Sequence, residues 1–347
     1  TIYGATWIEN IYGCTDELAD NYNEDADFDD GTCEYPDNGD YSLSFDGQDD
    51  YVIVDKEVLS GSFTISAWIH PNINDDNHRA IYADYSDQLE IWFGYGFNGK
   101  LRLHVGGLNY LDSPYNIIEY NTWNHIVGVW DGSEARIYSN GNLVISGNPN
   151  LDNPEPHTFN LGARMNNNSN HTFGYLNKIE LFNYALLEEE IYSLSDFNYS
   201  SSSSSSSYKF NAGSGIIAYD HSGNQNHGTI YGAEWIIPGC TDPLANNYNP
   251  AADTDDGSCE GSLVNYQDFT YAGELDGHYY YLSNYTENWD EAKLICENSG
   301  GHLVTIQSAE ENEFITSIIP EYGWLGLYQN IDSEEYSEPS GGWEWVT

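Results

Sequence analysis

The chain has 347 residues, enough for two or three domains. Its 56 acidic residues against nine basic ones give a formal net charge of −47, which excludes nucleic acid and anionic membrane surfaces as partners, since both would repel it. Aromatic residues at 15%, with 30 tyrosines, exclude a disordered acidic chain and suit β-sheets and sugar-facing surfaces.

The chain opens on a stretch that it contains twice. Thr1-Ile-Tyr-Gly-Ala-Thr-Trp7 recurs as Thr229-Ile-Tyr-Gly-Ala-Glu-Trp235. Each copy leads into an acidic module, Cys14–Glu34 and Cys240–Glu260, in which 15 of 21 positions are identical. Asp16, Asn21, Asn23, Asp27, Asp29 and Asp30 recur as Asp242, Asn247, Asn249, Asp253, Asp255 and Asp256. Oxygen-bearing side chains at this density, with Gly31 or Gly257 for a sharp turn, are the donor set Ca2+ prefers. The spacing is not that of an EF-hand, and a polar loop with solvated acids is the alternative. Pairing Cys14 with Cys33 and Cys240 with Cys259 would stabilise each loop by roughly 3 kcal/mol and implies an oxidising compartment. Zinc is disfavoured, because neither module contains histidine. The modules resemble short Gly-Cys-Thr-Asp…Asp-Asp-Gly-Ser-Cys units of secreted bacterial surface proteins, which implies an extracellular, calcium-rich setting.

From Tyr41 to about Asn198 short strands alternate with Gly, Asn, Asp and Pro turns. Phe63, Ile65, Ala67 and Ile69 alternate with polar neighbours, as do Leu101, Leu103 and Val105, while Tyr175, Asn177, Ile179 and Leu181 are expected to share one face. One helix is expected over Ala185–Leu194. Tyr41-Ser-Leu-Ser-Phe-Asp-Gly47, Ser62-Phe-Thr-Ile-Ser-Ala-Trp-Ile69, Asn121-Thr-Trp-Asn-His-Ile-Val127 and Phe173-Gly-Tyr-Leu-Asn-Lys-Ile-Glu-Leu-Phe182 resemble the laminin-G-like, concanavalin A-like jelly roll, in that family's order. The family usually has Asp-Glu where this chain has Asn177-Lys178, so no metal role is carried over there. The resemblance also implies an opening strand and an Asp-x-Ser-Gly-Asn-x-x-His-Gly loop. Tyr208-Lys-Phe210 and Asp220-His-Ser-Gly-Asn-Gln-Asn-His-Gly228 fit it, but they follow the roll instead of preceding it. Either the chain is a piece of a longer protein, or residues 208–235 fold back onto their own roll, or they dock on a neighbouring copy in a head-to-tail homopolymer. Asp220 is a further candidate metal ligand by the same resemblance. Ser200–Ser207, eight serines, reads as a flexible, extracellular linker able to carry O-linked glycans, or, since the family usually has a short apolar strand here, as a stretch whose side chains were never identified.

Further on, Trp289, Ala292 and Ile295 repeat at helical spacing, and Ser308 with Glu311 is a capping box ahead of Phe314, Ile315, Ile318 and Ile319. His302–Ile306, Trp324–Leu327 and Trp343–Val346 read as strands. These segments with Tyr279–Ser283 resemble the first part of a C-type lectin-like domain, in which the counterpart of Cys296 pairs with a cysteine beyond residue 347. The expected fold is mainly β: an antiparallel β-sandwich (jelly roll), small disulfide- and calcium-stapled loops, and a partial α+β C-type lectin-like domain. The expected divisions are 1–40, strand and first module; 41–198, jelly roll; 199–207, linker; 208–235, opening strand pair; 236–261, second module; 262–277, connector; and 278–347, lectin-like part.

Catalysis finds little support. No Gly-x-Ser-x-Gly, His-Glu-x-x-His or phosphate-binding glycine loop is present. The paired carboxylates of jelly-roll glycosidases have their nearest approach in Glu274-Leu-Asp276, which fails at Tyr279. His104 and His125 are expected to be packed or hydrogen-bonded. Asn167, Asn170, Asn198 and Asn284 begin glycosylation sequons. No apolar run approaches the roughly 20 residues of a membrane span. The expectation is a secreted, non-enzymatic surface protein, an adhesin or the repeating subunit of an extracellular fibre, stabilised by calcium and able to bind glycans. The alternative is the carbohydrate-binding accessory region of a larger secreted glycoside hydrolase.

Overall fold

The computed structural model describes residues 10–56, 58–72, 77–84, 91–106, 109–148, 157–164, 170–260, 268–319, 323–329 and 343–345. They fall into two compact units, Thr1–Pro238 and Gly239–Thr347.

The first unit is an antiparallel sandwich. Its strands in chain order are β1 (Ser42–Asp46), β2 (Tyr51–Val54), β3 (Phe63–Pro71), β4 (Arg79–Asp84), β5 (Ile91–Gly96), β6 (Lys100–Val105), β7 (Tyr110–Asp112), β8 (Asn124–Trp130), β9 (Ala135–Ser139), β10 (Asn142–Gly147), β11 (Phe159–Leu161) and β12 (Phe173–Phe182). After helix α1 (Glu188–Leu194) come β13 (Ser206–Tyr208), β14 (Ile217–Ala218), β15 (Gly228–Tyr231) and β16 (Glu234–Ile236). One sheet runs β10-β9-β8-β3-β12-β1-β16, with β13 also pairing with β12; the other runs β14-β15-β2-β11-β4-β5-β6-β7. Period-two alternation turns Leu43, Phe45, Ile65, Ile69, Phe93, Leu103, Ile126 and Leu181 inward, where all are buried in one core. Helix α1 covers the outer side of the first sheet with Ile191 and Leu194 against Val127, Val129 and Phe182. Its first turn is closed by the Glu190 carboxylate, which accepts the Leu187 amide at 2.7 Å.

Two expectations change here. Tyr175, Asn177, Ile179 and Leu181 do not share a face. The register of β12 against β3 shifts between Asn177 and Glu180, with Lys178 at φ 39°, so Ile179 and Leu181 join the core while Tyr175 and Asn177 stay on the outer side. The serine run is not a flexible linker either. Ser206–Tyr208 is a strand, Ser206 is fully buried, and the Ser207 amide donates to Asp220 at 2.8 Å. It takes the place of the apolar strand because its neighbour Glu180 is buried and polar: Glu180 accepts the Ser201 amide at 3.1 Å.

The opening strands fold back onto their own roll. β15 pairs with β2 (Ile230 opposite Val52), the chain crosses between sheets at Gly232 and Ala233, and β16 pairs with β1 (Trp235 opposite Leu43). Gly232 has φ +78°, and a Cβ there would collide with the Asp50 carboxylate. Ile230 enters the core, Tyr231 stacks on Tyr51 at 4.9 Å, and the Trp235 indole donates to the Gly215 carbonyl. The matching residues Thr1–Trp7 lie outside the described residues.

In the second unit β17 (Phe269–Leu275) and β18 (His278–Ser283) form a hairpin, followed by α2 (Trp289–Asn298), α3 (Ala309–Ile318), β19 (Leu327–Gln329) and β20 (Trp343–Trp345), the last two paired. Asn288 and Ser308 cap the helices by accepting the amides of Glu291, in α2, and Glu311, in α3. His302–Ile306 is not a strand; its Val304 carbonyl accepts the Gly326 amide instead of joining a sheet. The strand read at Trp324–Leu327 begins only at Leu327. Cys296 is half-buried and outside any disulfide.

Candidate functional site

Both modules are closed by disulfides, Cys14–Cys33 and Cys240–Cys259, each with Cα atoms 4.7 Å apart. Their oxygen-bearing side chains face their own backbone. Asp29 accepts the Gly31 amide at 2.7 Å and the Thr15 hydroxyl at 3.0 Å, and Asp30 accepts the Thr32 amide. Asn21 takes the Glu34 amide and donates to the Thr32 carbonyl, Asn23 takes the Asp25 amide, and Asp27 takes that of Ile11. The second module repeats the scheme. Asp255 accepts from Gly257 and Thr241, Asp256 from Ser258, Asn247 from Glu260, Asn249 from Ala251 and Asp253 from the Thr254 hydroxyl. Among the described residues no three carboxylates of either module come within 4.8 Å of one another; Asp255 is grouped only with the disulfide sulfurs of Cys240 and Cys259. In both modules these oxygens hold the loop's own amides, as a loop without regular structure requires. Asp46, Asp49 and Asp50 do gather three carboxylates within that distance. Asp50 is buried there, and burial together with the negative charge of Asp46 and Asp49 raises its pKa.

Asp16 and Asp242 do something different. Asp16 is buried, with one oxygen on the Leu18 amide (3.0 Å). Its other oxygen accepts the Tyr35 hydroxyl at 2.7 Å and lies 2.5 Å from His227 Nε2. His227 Nδ1 accepts the Asp220 amide, so Nε2 carries the proton that points at Asp16. Burial alone would raise the Asp16 pKa; the hydrogen bonds from Tyr35, Leu18 and His227 outweigh it and hold the carboxyl below its usual range. Burial and the same bond push the Tyr35 phenol far up. Asp220, also fully buried, is a loop organiser: it accepts the amides of Ser207, Ser222 and Asn226 and the Ser222 hydroxyl. With Tyr35 stacked on Tyr219 at 5.5 Å, Gln225 donating to Asp29, and the Asn38 side chain donating to the Ala212 carbonyl, the first module clamps the returned strands. A cavity of about 120 Å³ between Asp29, Tyr35, His221 and Ser222 lies well below the roughly 300 Å³ of small-molecule sites. Asp242 likewise places one oxygen on the Leu244 amide (2.8 Å), and its other accepts the Tyr281 hydroxyl of β18 at 2.7 Å.

The sequence gives no local signal for the outer side of the β14–β7 sheet. Tyr51 and Tyr231 stand toward one edge; Arg102, stacked over Tyr110 at 3.5 Å and paired with Asp112, stands at the other. Ala80, Ala83 and Gly94 lie between them and are buried. His125 is packed, as expected: it is fully buried, within 2.8 Å of the Ser66 hydroxyl, and burial lowers its pKa to about 3. Of the sequon asparagines, Asn198 and Asn284 are exposed, Asn170 uses its side-chain amide on the His78 carbonyl, and Asn167 lies outside the described residues.

Residues 46–192 match the model of the concanavalin A-like lectin/glucanases superfamily, and residues 285–347 match that of the lectin C-type domain. The C-type lectin part is 40% identical over 72 residues to Lectin BRA-3 of Megabalanus rosa, covering 20% of this chain and 44% of that protein. It is 37% identical over 74 residues to human C-type lectin domain family 17, member A, covering 21% and 18%. The chain thus spans less than half the length of these curated relatives. A carbohydrate binding protein of Bacteroides ovatus superposes with a TM-score of 0.46 at 16% identity, over 60% of this chain and 61% of that one. Glu274 and Asp276 lie at the end of β17 and in its turn, outside the concanavalin A-like domain.

Proposed function

We propose that the chain is an extracellular, non-enzymatic carbohydrate-binding protein of the adhesin type. The observation that carries this reading is the presence, in one chain, of two unrelated folds that each match a lectin family. The two disulfides support an oxidising, extracellular setting. The placement of Glu274 and Asp276 in a separate hairpin speaks against a glycosidase pair in the roll. Among the described residues no helix is long and apolar enough to cross a membrane. The test is a panel of immobilised oligosaccharides probed with the full chain: selective, saturable binding is expected, and a blank panel in both calcium and chelator sinks the proposal.

A head-to-tail fibre is the second reading. It is favoured by the position of the completing strands after the roll, joined to it through residues 195–205, so that one copy can donate them to the next. Light scattering decides it: mass growing with concentration supports exchange, and a constant monomer mass removes it.

A further inference from the structure

Five residues seat β15 and β16 in the slot that runs along the edges of β2 and β1. Ile230, opposite Val52, enters the core, and Tyr231 stacks on Tyr51. Gly232 carries the chain from one sheet to the other at φ +78°, where a Cβ would collide with the Asp50 carboxylate. Ala233 packs against the core, as does Trp235, which lies opposite Leu43 and donates to the Gly215 carbonyl. Glu234, between them, is exposed and takes no part in the core.

The chain carries a second segment that answers all five requirements. In Thr1-Ile-Tyr-Gly-Ala-Thr-Trp7 the corresponding residues are Ile2, Tyr3, Gly4, Ala5 and Trp7, and the one difference is Thr6 in place of the exposed Glu234. That exchange puts a β-branched residue on an edge strand and removes one acid from a chain of net charge −47. The match extends to Gly4, at the one position where the backbone and Asp50 exclude any side chain, so it goes beyond general strand propensity. The module that follows Thr1–Trp7 is already docked beside the slot. Its Asp16 accepts from His227, two positions before Thr229, and Trp7 lies nine positions before Asp16. A tether this short presents a segment to its site at an effective concentration of about millimolar.

We propose that the slot takes either segment, so that Thr1–Trp7 exchanges with Thr229–Trp235 of the same chain and the roll can be closed from either side of its sequence. Residues 206–228 keep their place, held by the pairing of β13 with β12 and by Asp220. What leaves on exchange is Thr229–Ile236, which then extends the connection into the second unit.

The test is a disulfide trap in the full chain. Thr229 lies opposite Ile53, so Thr1 takes that position after exchange. The chain with Thr1→Cys and Ile53→Cys is expected to oxidise to an internally linked monomer, because directly opposed residues of antiparallel strands have the Cα separation a disulfide needs. Peptide mapping identifies the link. Adding Gly232→Val, which strains the resident segment at its crossing, is expected to speed linking roughly tenfold or more. Adding Gly4→Val instead is expected to abolish it. The link is read with Gly232 intact as well, so the result does not depend on how Gly232→Val folds. No link in either background, a link found only in dimers, or a link that survives Gly4→Val overturns the proposal.

Discussion

The two acidic modules share a disulfide, a turn glycine and a set of side chains closing on their own amides, yet each is held from outside by a different residue. In the first, Asp16 receives Tyr35, two positions past Cys33, and also His227 from the returned strands. In the second, the position two past Cys259 is Gly261, so no local tyrosine exists, and Tyr281 of the following hairpin supplies the hydroxyl at the same 2.7 Å. The difference separates what the loop needs from what its neighbours need. The disulfide and the asparagine and aspartate caps make the loop; the buried aspartate after Cys-Thr is a socket that fixes the loop to adjacent β-structure.

The disulfides, common to both, are expected to give the largest and most nearly equal effects. Replacing Cys14 and Cys33, or Cys240 and Cys259, by serine removes a crosslink over a separation of 19 residues and is expected to cost about 3 kcal/mol in each module. Amide exchange of the module residues measures it, and a much smaller loss in one module would show that its docking alone suffices. The sockets should then differ. Asp16→Ala takes the acceptor from both the Tyr35 hydroxyl and His227 Nε2, for roughly 2–4 kcal/mol, whereas Asp242→Ala removes the bond from the Tyr281 hydroxyl, for about 1–2 kcal/mol. Equal losses in denaturant melts would break the comparison. Tyr35→Phe and Tyr281→Phe each remove one bond and are expected to cost about 1 kcal/mol apiece. The smallest effect is that of acid. The Asp16 carboxyl is held below its unfolded value, so its contribution is present above the ordinary carboxylate range and is lost as pH falls through the lowered folded value. Asp16→Asn should flatten that part of the stability curve, and an unchanged acid limb would count against the socket.

Much of the roll was legible because its strands alternate with period two and are separated by turn residues, as in Phe63–Ile69 and Leu101–Val105. The bulge at Lys178 was not, since a register shift leaves no trace in the alternation of one strand alone. Which roll residues 208–235 complete was equally hidden: the sequence offers the strand, and only the pairing of Ile230 with Val52 shows where it goes. The acidic modules are a different case. Aspartate and asparagine at this density satisfy a cation or a loop's own amides equally well on paper, and only the direction of each oxygen separates the two.

The claim that Asp16 is the socket that fixes the first module is tested most directly by melting the wild type and Asp16→Asn side by side, in excess calcium and in excess chelator. The account predicts the same drop for Asp16→Asn in both solutions. A chelator effect on the wild type that matches the substitution, and vanishes once Asp16 is replaced, would contradict it.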